Sequence, residues 1–154
     1  MAGEVANAVD LDSVALRAWS AEFIEDGIAP PSLKGKNEVS AEHSTRHHHD
    51  QERGLLDVLV SFQLTARDAA RRGRERVRIR CDLALRYSFK SHLEVTEEHL
   101  THFANLNGVA NAWPNLRETV QTTTKRMGLP PLVLPASRVS KPASPKIQAA
   151  LPAD

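Results

Sequence analysis

VTEEHLTHFANLNGVANAWPNLRETVQTTTKRMGLPPLVLP, residues 95–135, is the stretch on which the fold turns. Two helical signals follow one another in it, and a Gly-Pro-Pro stop then leads into a short apolar run. Thr96 suits an N-cap, with Glu97 and Glu98 in the first turn where carboxylates meet the positive helix end, and Leu100, Phe103 and Ala104 recur at helical spacing. Gly108 is the expected end of this short helix. A second helix follows, with Pro114 in its first turn and Trp113, Leu116, Val120 and Met127 on one stripe. Lys125 and Arg126 supply a cationic last turn and Gly128 a C′ glycine. Arg117, Glu118, Gln121 and Lys125 make the polar face.

Upstream lies sheet. In LLDVLVSFQLTA, residues 55–66, Leu56, Val58, Val60, Phe62 and Leu64 fall on one face, while Asp57, Ser61, Gln63 and Thr65 fall on the other. In VRIRCDLALRYSFK, residues 77–90, Val77, Ile79, Cys81, Leu83, Leu85, Tyr87 and Phe89 share a face opposite Arg78, Arg80, Asp82, Arg86, Ser88 and Lys90. Two such runs joined by the short link 67–76 predict an antiparallel hairpin with one packed and one solvated face. Residues 14–25 read as a further strand with imperfect alternation, Trp19 and Phe23 on one side and Glu22 on the other. After the Pro/Gly-punctuated loop IAPPSLKGKN, residues 38–43 read as a weak edge strand, and 44–54 as a polar connection. The expected class is α+β, a four-stranded antiparallel sheet covered by C-terminal helices. Residues 1–12 read as a flexible N-terminal arm, 13–135 as the folded domain, and 136–154, rich in Ala, Ser, Pro and Lys, as a disordered tail.

The 154 residues allow one ordinary domain. A net charge of +1 and the lack of any apolar run near the roughly 20 residues of a membrane span point to a soluble protein. The acidic start MAGEVANAVDLD has no secretory h-region, and Cys81, the single cysteine, cannot form an intrachain disulfide; both fit the cytoplasm.

Little in the chain resembles catalytic machinery. There is no GxxxxGK[ST] or GxGxxG loop, no GxSxG elbow, and Cys81 lies on the apolar face of a strand, so neither nucleotide chemistry nor an activated nucleophile is expected, and no cofactor is implied. His43, His47, His48 and His49 cluster without a nearby cysteine and read as a solvated loop rather than a metal site. His99 and His102 form HxxH without the glutamate of a zinc protease. Between Arg67 and Lys90 nine basic residues face three acids, a local +6. That could track phosphates on a β-ribbon, which makes a nucleic-acid module the alternative reading. Few aromatics interleave there for stacking, and a charge-coated sheet face is the simpler account.

Trp113, Pro114, Arg117, Glu118, Leu129, Pro130, Leu132 and Leu134, within AWPNLRETVQTTTKRMGLPPLVLP, give the chain its family likeness. This segment resembles the aromatic-Pro-aromatic-x-Arg-Glu helix start and closing Leu-Pro-x-Leu-x-Leu run of the SecB family, the protein-export chaperones and the SecB-like chaperones of toxin–antitoxin systems. RAWSAEFIEDGIAPP, residues 17–31, resembles that family's first strand and the loop after it. Asn115 stands where the family has an aromatic. The resemblance implies a homotetramer, a dimer of dimers, that holds unfolded preprotein or antitoxin clients in apolar grooves without ATP. On that basis Trp19, Phe23, Phe62, Tyr87, Phe89 and Trp113 are the expected groove residues. Glu22, Asp26 and Asp82 match acidic positions with which export members contact the SecA motor, although Arg80 stands where an apolar neighbour is the rule.

Overall fold

The computed structural model describes residues 2–24, 27–28, 37–68, 74–130, 132 and 134. Four antiparallel strands, β1 (Val9–Phe23), β2 (Asn37–Asp50), β3 (Leu55–Asp68) and β4 (Arg74–Phe89), form one sheet in the order β1-β4-β3-β2. The two cleanly alternating runs are its central pair. Their apolar sides, from Leu56 to Leu64 and from Val77 to Tyr87, are buried under helices. Burying these side chains contributes roughly 1.5–3 kcal/mol each, which makes that face the core of the fold.

Two β-bulges explain why the alternation of the first strand is imperfect. The register of β1 against β4 shifts between Leu11 and Ser13 and again between Leu16 and Ala18, so Leu11, Val14, Leu16, Trp19, Ala21 and Phe23 all lie on the helix side. Each extra residue flips the chain by one position, and a strict two-residue period cannot follow it. This strand starts five residues earlier than expected. Ahead of it α1 (Ala2–Ala8) packs against the first C-terminal helix with Val5 fully buried, and the Lys90 amide donates to the Ala8 carbonyl at 2.8 Å. Residues 2–12 thus form α1 and the start of β1.

The polar connection expected at 44–54 is also mostly strand. Pairing of β2 with β3 runs unbroken from Asn37↔Asp68 to Asp50↔Leu55, and Gln51–Gly54 make the turn, where Gly54 adopts φ +63°. The Asp50 carboxylate accepts from the Arg53 amide at 3.1 Å. Polar side chains are tolerated along an outer strand because only one neighbour and part of one face must be satisfied.

On the covered face the chain is helical without a break from Glu97 to Arg126: α2 (Glu97–Phe103), a π-helical turn (Ala104–Gly108) and α3 (Val109–Arg126). Thr96 caps α2, its hydroxyl accepting from the His99 amide at 3.2 Å. Gly108 does not stop the helix. A Cβ placed on it would lie 3.1 Å from Val58 Cγ1, so glycine here permits close approach of helix to sheet. Pro114 consequently sits inside α3, not in a first turn; it and Ala110, whose carbonyl loses a partner, both face solvent. Gly128, at φ +74°, ends α3 as expected. Leu129, Leu132 and Leu134 are buried, and Arg117 Nε donates to the Leu134 carbonyl at 3.0 Å. Arg117 is thus a tether for the closing run rather than part of a free polar face. The tail after residue 135 lies outside the described residues.

Candidate functional site

The helical layer covers the sheet unevenly. Its weight falls on β3 and β4, while at β1 it leaves Leu11 (42% exposed), Leu16 (50%) and Trp19 (42%) in a row of apolar side chains open to solvent. Trp19 is held in this row by its indole N–H, which donates to Thr123 Oγ1 on α3 at 2.9 Å; Thr123 in turn donates to the Thr119 carbonyl at 2.6 Å. One half of the ring is thereby fixed against the helix and the other presented outward. Three large apolar side chains aligned on one strand form a patch rather than scattered exposure.

A second concavity lies at the end of the sheet where the β2–β3 turn meets the link from β4 to α2. It is an open cleft of about 850 Å³ whose apolar part is Phe89, Leu93 and Val95, rimmed by His49, Glu52, Arg53, Lys90, His92 and Glu94. The His49 ring rests on Phe89 with centroids 4.9 Å apart. Nearby, His47 Nε2 lies 2.9 Å from Glu97 Oε2 and the Thr45 hydroxyl donates to Asn105 Oδ1 at 2.7 Å, so β2 clasps the start of the helical layer. Neither surface was evident in the sequence. Leu11 and Leu16 were hidden by the bulges, and the cleft is assembled from segments far apart in the chain.

Of the residues expected to line a groove, three are at the surface and three are not. Trp19, Phe23 and Phe89 are exposed or half-buried. Phe62, Tyr87 and Trp113 are core residues: Phe62 meets Trp113 edge-on at 6.2 Å, and Tyr87 meets Phe103 at 4.9 Å. Phe62 and Tyr87 lie on the sheet face under the helices and Trp113 on the side of α3 turned to the sheet, so all three pack. The Tyr87 hydroxyl accepts from Asn111 Nδ2 at 2.9 Å, and burial pushes its pKa above the usual phenol value. Cys81 is fully buried, and desolvation raises its thiol to about 11, which leaves it unreactive at neutral pH.

The far side of the sheet carries charge. Arg86 grips Asp57 with two hydrogen bonds of 2.7 and 2.8 Å, which hold the Asp57 carboxyl below its ordinary range. Arg78 Nε donates to Glu75 at 2.6 Å with the same effect on Glu75, and lies 3.7 Å from Glu22. These pairs draw down the basic character expected of the hairpin. Asp82 is half-buried on the same face, between Ala18 and Ser61 in register; Asp26 lies outside the described residues. The histidine run is split by strand alternation, His43, His47 and His49 turning to the helix side and His48 away. Among the described residues no three His, Cys, Asp or Glu converge on a metal position, and no helix is long and apolar enough to cross a membrane.

The same architecture occurs in a SecB-like chaperone from Mycobacterium tuberculosis, solved in complex with a ChAD peptide from the HigA1 antitoxin. The two superpose with a TM-score of 0.73 over 91% of this chain and 96% of that one, at 24% identity. A protein of unknown function from Streptococcus agalactiae is similar at a TM-score of 0.49 and 10% identity, over 82% of this chain and 96% of that one. No family model and no curated protein sequence matches the chain. The fold is therefore SecB-like, a four-stranded antiparallel sheet under C-terminal helices.

Proposed function

We propose that this chain with a SecB-like fold is an ATP-independent holdase, which binds unfolded client segments on apolar surface and prevents their aggregation. The observation that carries the reading is the uncovered apolar row Leu11, Leu16 and Trp19 on β1. A holdase needs ordered apolar surface that many sequences can share, and it needs no catalytic residue. The cleft at Phe89, Leu93 and Val95 offers a second anchor, and its rim, where Arg53 and Lys90 stand beside Glu52 and Glu94, offers polar partners of both signs to a client backbone. Phe23 extends the row along β1, while Phe62, Tyr87 and Trp113 stiffen the sheet and helices behind it.

The protein works in the cytoplasm as a homotetramer, a dimer of dimers. Its client is an antitoxin in preference to an exported preprotein. The likeness to a chaperone solved with an antitoxin peptide supports this choice. So does the charge around the SecA-contact positions, where Arg78 answers Glu22 and Arg80 stands two residues before Asp82 on the same face. Guanidiniums there weaken the field that a basic SecA segment would need.

The test is dilution of a chemically unfolded protein into buffer with and without the chain. Suppression of turbidity at stoichiometric ratios without nucleotide is expected, together with a light-scattering mass near four times the 17.0 kDa subunit. A stable monomer with no effect on aggregation would end the proposal.

A further inference from the structure

The open face of the sheet holds a site of a different kind. Solvated faces of antiparallel sheets are normally polar throughout. Here one ladder row reads Ala15–Ala84–Leu59–Arg46 across β1, β4, β3 and β2, an apolar floor ending in a guanidinium. The next row, Ser13–Arg86–Asp57–His48, adds His48 to the rim, and Arg17 rises from the bulged segment of β1 on the other side. These residues surround a shallow depression of about 560 Å³. Arg86 is committed to Asp57, but Arg17 and Arg46 are exposed, and among the described residues neither has an ion-pair partner.

We infer that this depression docks an acidic segment of a protein in extended conformation, with an apolar side chain on Leu59 and a carboxylate on each of Arg17 and Arg46. The spacing supports it. Three strand intervals separate β1 from β2, about 14 Å at the ~4.8 Å between neighbouring strands. Residues i and i+4 of an extended chain are also about 14 Å apart, and i+2 points to the same side as both. An acid-x-apolar-x-acid segment crossing the strands therefore spans both cations, with its middle side chain over the floor that Ala84 and Leu59 form between them. Nucleic acid suits the face less well. Among the described residues its open side carries no Phe, Tyr or Trp for base stacking, and Glu42 and Asp82, outside the depression, interrupt the cations that a longer phosphate backbone would follow. This site is separate from the apolar row on β1, which lies on the opposite face of the sheet.

The probe is a short fluorescein-labelled peptide with glutamates two residues either side of a central leucine, titrated with the full chain and followed by anisotropy. A twin peptide with lysines for the glutamates and a thymidine oligonucleotide serve as comparisons. Saturable binding of the acidic peptide alone is expected, falling about tenfold in Arg17→Gln/Arg46→Gln and further in Arg17→Glu/Arg46→Glu. Both positions are exposed, so the variants should keep the parent circular dichroism and melting point. They should also keep aggregation suppression, whereas Leu11→Ser/Leu16→Ser should lose that and keep the peptide. Equal binding of the lysine peptide, an unchanged affinity in the charge-reversed variant, or arginine-dependent binding of the oligonucleotide in preference to the peptide would each overturn the inference.

Discussion

Gly108→Val tests the close approach of the π-helical turn to β3. An added Cβ would meet Val58 Cγ1 at 3.1 Å and Val60 Cγ2 at 3.9 Å. Apolar carbons rest at about 3.5–4.0 Å, so alanine alone overlaps Val58 by roughly half an ångström. Its gain in helix propensity over glycine, about 1 kcal/mol, opposes that strain, and Gly108→Ala should be close to neutral. Valine adds two methyl groups where β3, hydrogen-bonded to β2 and β4 on both sides, cannot recede. Overpacking of this kind costs roughly 1–3 kcal/mol. At fixed protein concentration, and with a slope of about 2 kcal/mol per molar urea, the unfolding midpoint should fall by roughly 0.5–1.5 M. Val58→Ala should cost about 2 kcal/mol by itself, but at least about 1 kcal/mol less in the Gly108→Val background, because the methyl groups it removes are those in collision. Tryptophan fluorescence and far-ultraviolet circular dichroism report the transitions. An unchanged midpoint for Gly108→Val, or strict additivity of the two substitutions, would refute the close packing of the π-helical turn on β3.

The remaining expectations concern surface, charge and thiol. Leu11→Ser/Leu16→Ser should abolish suppression of client aggregation while costing only about 1 kcal/mol per site, since each side chain is already near half exposed; parent-like suppression by a folded double variant would count against the β1 row. The Asp57–Arg86 pair lowers the Asp57 pKa in the folded chain, so its contribution is present above the unfolded value of 3.8 and is lost as pH falls through the folded value. Both partners are more than one-third exposed, which limits the pair to roughly 0.2–1 kcal/mol. The stability gap between the parent and Asp57→Asn, measured by urea titration, should therefore close on acidification below about pH 4; a gap that stays constant would mean the pair does not form. Cys81, buried and with its thiol raised to about 11, should react with a thiol reagent at neutral pH only as fast as the chain opens, and rapid labelling of the native protein would contradict its placement.

Local chemistry made part of this molecule legible in the chain alone. The alternation of residues 55–66 and 77–90 specified the central hairpin and its buried face, because period two has one reading when every second residue is large and apolar. Thr96 and Gly128 marked helix ends for equally local reasons, a side-chain acceptor for free amides and a left-handed backbone. The segment from Trp113 to Leu134 carried the likeness to the SecB fold. What the chain could not disclose depends on contacts between distant segments. The two bulges of β1 are set by its register against β4, and they decide that Leu11, Leu16 and Trp19 stand on one face. The strand through His47–His49 exists because β3 supplies its hydrogen bonds, not because its residues favour extension. Gly108 looked like a helix stop, since a glycine kept for backbone freedom and one kept for close approach are the same letter; only Val58 across the interface tells them apart. Phe62, Tyr87 and Trp113 were legible as apolar, but whether an apolar side chain is core or contact surface follows from where the helical layer ends, and that edge is a property of the packed structure.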